Sequence, residues 1–322
     1  MKRSFKGSDL LKEFLRLLGF KGSDPLIFFL LFEHDAGETT TMESRRFIQC
    51  DVFSPTPTQG NALAVVVDGQ GLSDEQMRLF AAWTNLAETT FLFPPDDPAA
   101  DYRVRIFTPS REMPFAGHPT LGSCAAWLHT GGKAREAGIA RQECGVGIVE
   151  IDISQEDELA FTAPPTAIQP MDPEHFESIV ETLDIPRDAI LHTTQLDNGP
   201  VWQVLQLDSA EAVLAVDSSR VRWPTFKAIG LIGAHPPGAE CDYEVRMVAP
   251  SSGMSEDPIT GSLNAALAHW MRAEGRLSGP IKVAQGTAIG RHGRVSIRPG
   301  KNSDDIQIGG QVHILIEGTV IL

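Results

Sequence analysis

The chain has 322 residues and a net charge of −15 at pH 7, with 42% apolar and 21% charged residues. This length allows two domains of ordinary size, and this composition excludes bulk disorder. The negative charge argues against a nucleic-acid partner, which needs a basic face, but not against a small anionic substrate that a few local groups can bind.

Residues 1–44 form an extension whose sequence differs from the rest of the chain. Residues 10–18 have the spacing of a short amphipathic helix. The apolar run at 25–32 is much shorter than the ~20 residues that span a bilayer, so we expect no membrane span. Acidic residues argue against a transit peptide, and we expect the true start of the protein at Met42.

Strand patterns dominate the first half of the globular chain. Ser73 and Gln76 form a capping box, which predicts a helix that ends near Asn85. Pro164 and Pro165 mark a linker at the end of this half. The other predicted elements are strands at 47–53, 61–68, 85–93, 102–108, 139–143, 147–153 and 159–162 and a helix at 119–129.

The second half mixes strands with longer helices. The Asn198-Gly199 pair predicts a hairpin turn between two strands. The helical spacing of Leu263, Leu267 and Trp270 predicts that these side chains face the core. The predicted elements are a helix from 172, strands at 190–196 and 201–207, a helix near 220–229, a strand at 242–248, a helix at 258–274 and a last strand near 312–316.

An internal repeat links the two halves. Residues 104–106 match residues 245–247, and residues 119–123 match residues 258–262 when Pro119 is aligned with Pro258. A match of this extent within one chain indicates two copies of one structural unit.

The two copies differ at the residue before the aligned proline, which is His118 in the first copy and Asp257 in the second. Proline fits the first helical position, so both residues are predicted at N-cap positions. Helix N-termini favour anions, and a pseudo-twofold packing would turn both helix ends toward one cleft for a carboxylate-bearing molecule. The alternative is that Asp257 only caps its helix and His118 only fills a loop.

Glu88 is a further candidate for chemistry. Its neighbours in sequence are uncharged and largely apolar. A carboxyl group in such surroundings has a raised pKa, which suits general acid–base catalysis near neutral pH. The alternative is a solvated glutamate, since glutamate is rarely buried without a partner.

Cysteine and histidine spacing gives no metal or disulfide signal. The four cysteines contain no C-x-x-C pair and are interpreted as reduced thiols of a cytoplasmic protein. The nine histidines show no H-x-H or H-E-x-x-H spacing, so no metal site is predicted. A hydrolase built on Cys124 and His118 is an alternative, disfavoured because Cys124 lies inside a predicted helix.

These motifs together resemble the PhzF-like family of phenazine-biosynthesis isomerases and epimerases, which is related by fold to diaminopimelate epimerase and proline racemase. The resemblance covers about residues 46–322, and the set of motifs in this order is more specific than any one of them. The matching stretches are Gly60-Asn61, 85–91, 115–120, 256–262, Gln285-Gly286 and Arg291.

The resemblance implies an α+β fold of two similar domains related by a pseudo-twofold axis. Each would be a strongly twisted, mostly antiparallel sheet or barrel wrapped around a central helix, as in diaminopimelate epimerase. We expect the first domain at 45–163, with the C-terminal strand 312–322 returning to it, and the second at 166–311. The resemblance also implies a homodimer.

The same resemblance implies a biosynthetic isomerase or epimerase that needs no cofactor and acts on a small carboxylate in an inter-domain cleft. Glu88 would take a proton from carbon and return it at another position, while His118 and Asp257 would orient the substrate and share the acid–base work. The residues expected to bind the substrate are Asn61, Gly117, Gly261 and Ser262. An alternative is a protein of the same fold that has lost chemistry and serves as a binding or interaction protein.

Overall fold

Strands outnumber helices in the described ranges, and several of them have side chains that alternate between buried and more exposed positions. A computed structural model describes residues 42–250, 254–300 and 305–322, so the predictions for residues 1–41 lie outside the described residues. The elements of the first half are β1 (Ser44–Val52), β2 (Asn61–Val66), α1 (Asp74–Thr84), β3 (Glu88–Phe93), β4 (Tyr102–Phe107), β5 (Glu112–Met113), α2 (Gly117–His129), β6 (Ile139–Cys144), β7 (Gly147–Asp152) and β8 (Leu159–Thr162).

The second half contains the remaining strands and helices. Its elements are β9 (Ala167–Gln169), α3 (Pro173–Leu183), β10 (Ile190–Asp197), β11 (Val201–Leu207), α4 (Ala210–Ala215), β12 (Ile229–Ala234), β13 (Tyr243–Val248), β14 (Glu256–Asp257), α5 (Gly261–Ala273), β15 (Ile281–Gln285), β16 (Gly293–Pro299), β17 (Ile306–Gly310) and β18 (Val312–Ile321).

Both halves follow one order of strand pairing. β1–β2 is antiparallel, β2–β3 parallel, β3–β4 antiparallel and β4–β6 parallel. The pairs β10–β11, β11–β12, β12–β13 and β13–β15 repeat this order. β18 pairs with β1 along its whole length, as β9 pairs with β10. The internal repeat is therefore a repeat of topology as well as of sequence.

α2 and α5 are the central helices of the two halves. Residues 117–124 of α2 are all buried, which fits a helix whose first turns carry only small or apolar side chains and one histidine. Leu263, Leu267 and Trp270 of α5 are buried, which confirms their predicted core positions. One hydrophobic cluster includes side chains from both helices. The domain boundaries themselves stay a prediction.

The predicted N-cap positions of His118 and Asp257 are wrong. α2 begins at Gly117 with Ala116 as N-cap, so His118 is its second residue. α5 begins at Gly261 with Thr260 as N-cap, and Asp257 lies before it on β14. Pro119 is tolerated inside α2 because the first turn of a helix has no intrahelical acceptor for its N–H groups.

The predicted alignment of Pro119 with Pro258 is also wrong. β4 pairs Ile106 with Met113, and β13 pairs Met247 with Asp257. Because 104–106 and 245–247 correspond as predicted, Met113 is the counterpart of Asp257, and the starts of α2 and α5 then coincide. The incorrect alignment arose because a glycine–serine pair occurs in both helices. Gly122 and Ser123 lie more than one turn after the start of α2, whereas Gly261 and Ser262 are the first two residues of α5.

The predicted helix near 220–229 is absent. The chain there forms a short 3-10 turn at Ser218–Arg220 and then runs irregularly to β12. Pro224 lacks a backbone N–H and biases Trp223 away from helical geometry, which interrupts the helix. The capping box at Ser73 and the hairpin between β10 and β11 are confirmed.

Within the ranges that the structure describes, no helix is long and apolar enough to cross a membrane. The cytoplasmic location and the homodimer stay predictions.

Candidate active site

Glu88 is the first residue of β3, and its side chain is 16% exposed. Its Oε2 atom is buried and accepts no hydrogen bond from the described residues, although it lies 3.4 Å from Nδ1 of His118. Burial, followed by the nearby charge of Asp257, raises the pKa of Glu88 well above its usual range. This is the direction expected from the sequence, and it gives a carboxyl group that can both take and return a proton.

His118 is buried at the start of α2. Burial lowers its pKa to about 3, against the opposing effect of a backbone hydrogen bond at Ala62, so the imidazole is neutral near pH 7. Its Nε2 atom is buried and has no hydrogen-bond partner among the described residues. A neutral imidazole beside Glu88 can accept one proton and donate another.

Asp257 lies on β14 and is buried. Burial raises its pKa to about 6; hydrogen bonds from Thr260 and Asn61 act in the opposite direction, and the charge of Glu256 adds to the rise. Its two carboxyl oxygens accept these bonds separately, Oδ1 from Asn61 at 3.0 Å and Oδ2 from Thr260. Asp257 is thus held in place and titrates near neutral pH.

Asn61, at the start of β2, connects the groups from the two halves. Its Nδ2 atom lies 3.0 Å from Oδ1 of Asp257, 2.9 Å from the carbonyl oxygen of Ile259 and 3.3 Å from Nδ1 of His118. The structure therefore brings His118 and Asp257 together through one amide. The predicted contact of Asn61 with substrate stays a prediction.

The N-termini of α2 and α5 meet at two glycines. A Cβ atom added at Gly117 would lie 2.7 Å from Cα of Gly261 and 2.9 Å from the backbone nitrogen of Ser262. Only glycine allows this approach. The first-turn N–H groups of both helices lack intrahelical acceptors, so two positive helix ends lie next to the three ionisable side chains.

A cavity of about 70 Å³ opens between the halves. Glu88, Asp257 and Ser262 line it, whereas His118, Asn61, Gly117 and Gly261 do not. The lining residues outside the motif stretches and the repeat include Thr108, Arg111, Met113, Pro200, Trp202, Trp223 and Ala228. Met113 and Ala228 are counterparts of motif residues, so the correct repeat alignment would have indicated them.

The strand registers show that the chemistry is not duplicated. Thr89 pairs with Phe107 as Ile229 pairs with Val248, which makes Ala228 the counterpart of Glu88. By the same register Ser262 corresponds to His118, and Met113 to Asp257. Each half therefore contributes a different part of one site.

Cys124 is buried inside α2 and does not line the cavity. Burial raises the pKa of its thiol to about 12, which removes the thiolate that a nucleophile needs. In the described part of the chain, no cluster of three or more His, Cys, Asp or Glu side chains is arranged to hold a metal ion.

A family model described as phenazine biosynthesis-like protein, PhzC–PhzF, matches residues 50–318. The chain belongs to the PhzC–PhzF family. This confirms the family that the sequence motifs indicated.

Relatives in the PhzC–PhzF family match nearly their whole length. The chain is 33% identical over 298 residues to Antisense-enhancing sequence 1 of Schizosaccharomyces pombe. The matched region covers 86% of this chain and 99% of that protein. The chain is also 30% identical over 285 residues to trans-2,3-dihydro-3-hydroxyanthranilate isomerase of Pseudomonas aeruginosa, with the same coverage of 86% and 99%.

The crystal structure of a PhzF-family phenazine biosynthesis protein from Bacillus anthracis superposes with a TM-score of 0.73 at 21% identity, covering 87% of this chain and 100% of that one. This likeness confirms the predicted epimerase-like fold. The named isomerases among its relatives place this PhzC–PhzF chain among the isomerases.

Proposed function

We propose that this isomerase moves a carbon-bound proton on a small cyclic carboxylate without a cofactor, with Glu88 as the acid–base group. One observation carries the proposal. Oε2 of Glu88 is buried beside a cavity without a hydrogen-bond partner among the described residues, and the pKa of the carboxyl is raised. A buried carboxyl oxygen without a hydrogen bond lowers the stability of the fold, and a role in taking a proton from a bound C–H acid would explain its presence here.

The reaction begins with ionised Glu88, which takes a proton from an sp³ carbon of the substrate. The electron pair of the broken C–H bond enters a neighbouring conjugated system, and negative charge develops on the substrate's oxygens. N–H groups at the starts of α2 and α5 stabilise this charge. Protonated Glu88 then returns the proton to another carbon of the same system, which regenerates the carboxylate.

His118 and Asp257 support this transfer in different ways. Neutral His118, whose Nδ1 lies 3.4 Å from Oε2 of Glu88, is close enough to exchange a proton with that carboxyl during the reaction. Asp257, with a pKa of about 6, is available in both protonation states to bond a hydroxyl or amino group of the substrate. The pKa values of His118, about 3, and of Asp257, about 6, suit different roles: proton exchange with Glu88 for His118, and positioning of the substrate for Asp257.

The groups around the site support a proposal for the substrate class. The first-turn amides near Gly117, Gly261 and Ser262 suit a carboxylate, and Asp257 suits a hydroxyl or amine. A dihydro-hydroxyanthranilate, the substrate named for the Pseudomonas aeruginosa relative, carries such groups on one ring. We therefore propose a cyclic hydroxy- or amino-carboxylate of this kind.

The test is turnover of trans-2,3-dihydro-3-hydroxyanthranilate, together with a panel of amino-acid carboxylates, followed by NMR. Glu88→Gln should lower the rate by about 10²–10⁴-fold because it removes the general base. Glu174→Gln, at an exposed position on α3, is the matched control and should leave the rate unchanged. Turnover that persists in Glu88→Gln would contradict the proposal, and binding without any turnover would favour the binding-protein alternative.

A further inference from the structure

A second cavity of about 650 Å³ adjoins the catalytic cavity. The two share Arg111, Pro200, Trp223 and Ala228 as lining residues. We call this second cavity the antechamber; further lining residues are Gln195, Gln203, Phe226 and Lys227. Ligand pockets are typically about 300–1,000 Å³, so the catalytic cavity alone is small for a substrate and the antechamber is of suitable size.

The charge of the antechamber is opposite to that of the chain. Arg111, Lys227 and His175 line it, and no acidic residue among those that the structure describes does so, in a protein whose net charge is −15. The guanidinium carbon of Arg111 lies 5.8 Å from the ring centre of Trp223, and Nζ of Lys227 lies 5.9 Å from the same ring. One aromatic ring thus holds two cations at the mouth of the catalytic cavity.

Neither cation is neutralised by a carboxylate in the described ranges. Many other arginines are, including Arg46, Arg105, Arg141, Arg246 and Arg294. In an acidic protein, cations without acidic partners beside a cavity attract anions, and a guanidinium binds carboxylates through two parallel hydrogen bonds.

The position of these groups determines what they bind. In the proposed function the helix N-termini bind the carboxylate next to the reacting carbon, and Ala116 and Ser262 of these termini line only the catalytic cavity. Phe226 and Lys227 line only the antechamber. Trp223, which is 36% exposed, offers a face to an apolar or planar body between the two ends. A molecule that fills both cavities would therefore meet positive charge at each end.

We propose that Arg111 and Lys227, with Trp223, form a second anion subsite that selects small organic dianions with acidic groups at opposite ends. The inference rests on the proposed function in that the first acidic group occupies the catalytic cavity. It deepens that function by naming a specificity element outside the acid–base machinery: among small carboxylates that the site accepts, those with a second acidic group should bind more tightly than monoanions such as dihydro-hydroxyanthranilate. Arg111 and Lys227 are binding residues and take no part in proton transfer.

The test is calorimetric titration with benzene-1,4-dicarboxylate and with benzoate, which differ only in the second acidic group. The wild-type protein should bind the dicarboxylate about tenfold more tightly, a difference of about 1.4 kcal/mol, because the second carboxylate gains charge-assisted hydrogen bonds. The double variant Arg111→Gln/Lys227→Gln should bind the two compounds equally. The control Lys133→Gln/Lys282→Gln removes the same charge at exposed positions outside the antechamber and should keep the preference.

A dicarboxylate preference that survives in the Arg111→Gln/Lys227→Gln variant would overturn the proposal. So would wild-type protein that binds the dicarboxylate no more tightly than benzoate, and so would the absence of measurable binding of both compounds. Glu88→Gln separates the two ideas. If this variant keeps the preference while wild-type protein shows no turnover, the subsite stands and the proposed chemistry fails. If turnover depends on Glu88 but the dicarboxylate preference is absent, the proposed chemistry stands and the subsite fails.

Discussion

Burial shifts the pKa values of the three ionisable side chains of the site in different directions. It raises the pKa values of Glu88 and Asp257, and it lowers that of His118 to about 3. All three shifts favour the neutral form, which suits a pocket where protons move between groups and no fixed charge dominates. At this scale the sequence indicated the direction of the Glu88 shift, because apolar neighbours around a carboxyl group predict a raised pKa. The catalytic roles of the three residues stay predictions.

The raised pKa of Asp257 makes stability depend on pH. The folded protein holds this proton more tightly than the unfolded chain, so its stabilising effect is full below the ordinary pKa of 3.8 and is lost as the pH rises through about 6. The loss amounts to about 3 kcal/mol at pH 7. Asp257→Asn lacks this loss, so its free energy of unfolding should improve relative to wild type between pH 4 and pH 7. Urea unfolding measures the difference; parallel pH curves would contradict the assignment.

Burial sets the direction of the Asp257 shift, and hydrogen bonds from Thr260 and then Asn61 oppose it. The hydrogen bond from Asn61 lowers the pKa of that carboxyl, so Asn61→Ala should raise the pKa further and shift the pH–rate profile to higher pH. The rate should fall roughly 10- to 100-fold, as expected when a hydrogen bond to a charged group is lost. A lower rate with an unmoved profile would indicate that Asn61 has only a structural role.

At the scale of elements, the site depends on how α2 and α5 begin. The sequence predicted both helices but placed both N-termini wrongly, because proline was assumed to start each of them. Pro119 lies inside the first turn, and Pro258 precedes α5. Strand pairing, which is set by contacts distant in sequence, decides the register of the repeat, and local motifs cannot supply it. The same limit explains the missed strand β12, which follows an irregular stretch.

The contact of Gly117 with Gly261 should tolerate no side chain. In Gly117→Ala the new Cβ meets the backbone of Gly261, which cannot rotate away. We expect a loss of about 1–3 kcal/mol in the free energy of unfolding and a loss of activity as the helix ends separate. The control Gly279→Ala places its Cβ in open space and should change neither. Equal effects of the two substitutions on denaturant unfolding would contradict this account.

At the scale of the whole molecule, the two halves repeat an ion pair as well as a topology. Arg105 pairs with Glu112 on β4 and β5, and Arg246 pairs with Glu256 at the equivalent place on β13 and β14. The first pair is partly exposed, at 24% and 44%, whereas the second is buried, at 4% and 0%. The sequence repeat included these arginines, but only the fold shows that their environments differ.

This difference gives a matched pair of substitutions. Glu256→Gln leaves Arg246 charged and buried without its partner, which should cost about 3–5 kcal/mol of unfolding free energy. Glu112→Gln removes an exposed pair and should cost at most about 1 kcal/mol. Urea denaturation of both variants checks the comparison, and similar costs would mean that the burial of the second pair does not matter.

The central claim is that one buried carboxyl carries the proton between two carbons. The measurement is a single turnover, in ordinary water, of trans-2,3-dihydro-3-hydroxyanthranilate deuterated at the reacting carbon. Because Oε2 of Glu88 is buried and meets little water, a measurable share of the deuterium should appear at the new position in the product. Complete replacement of the label by solvent hydrogen within that turnover would contradict the account and indicate delivery by a second group.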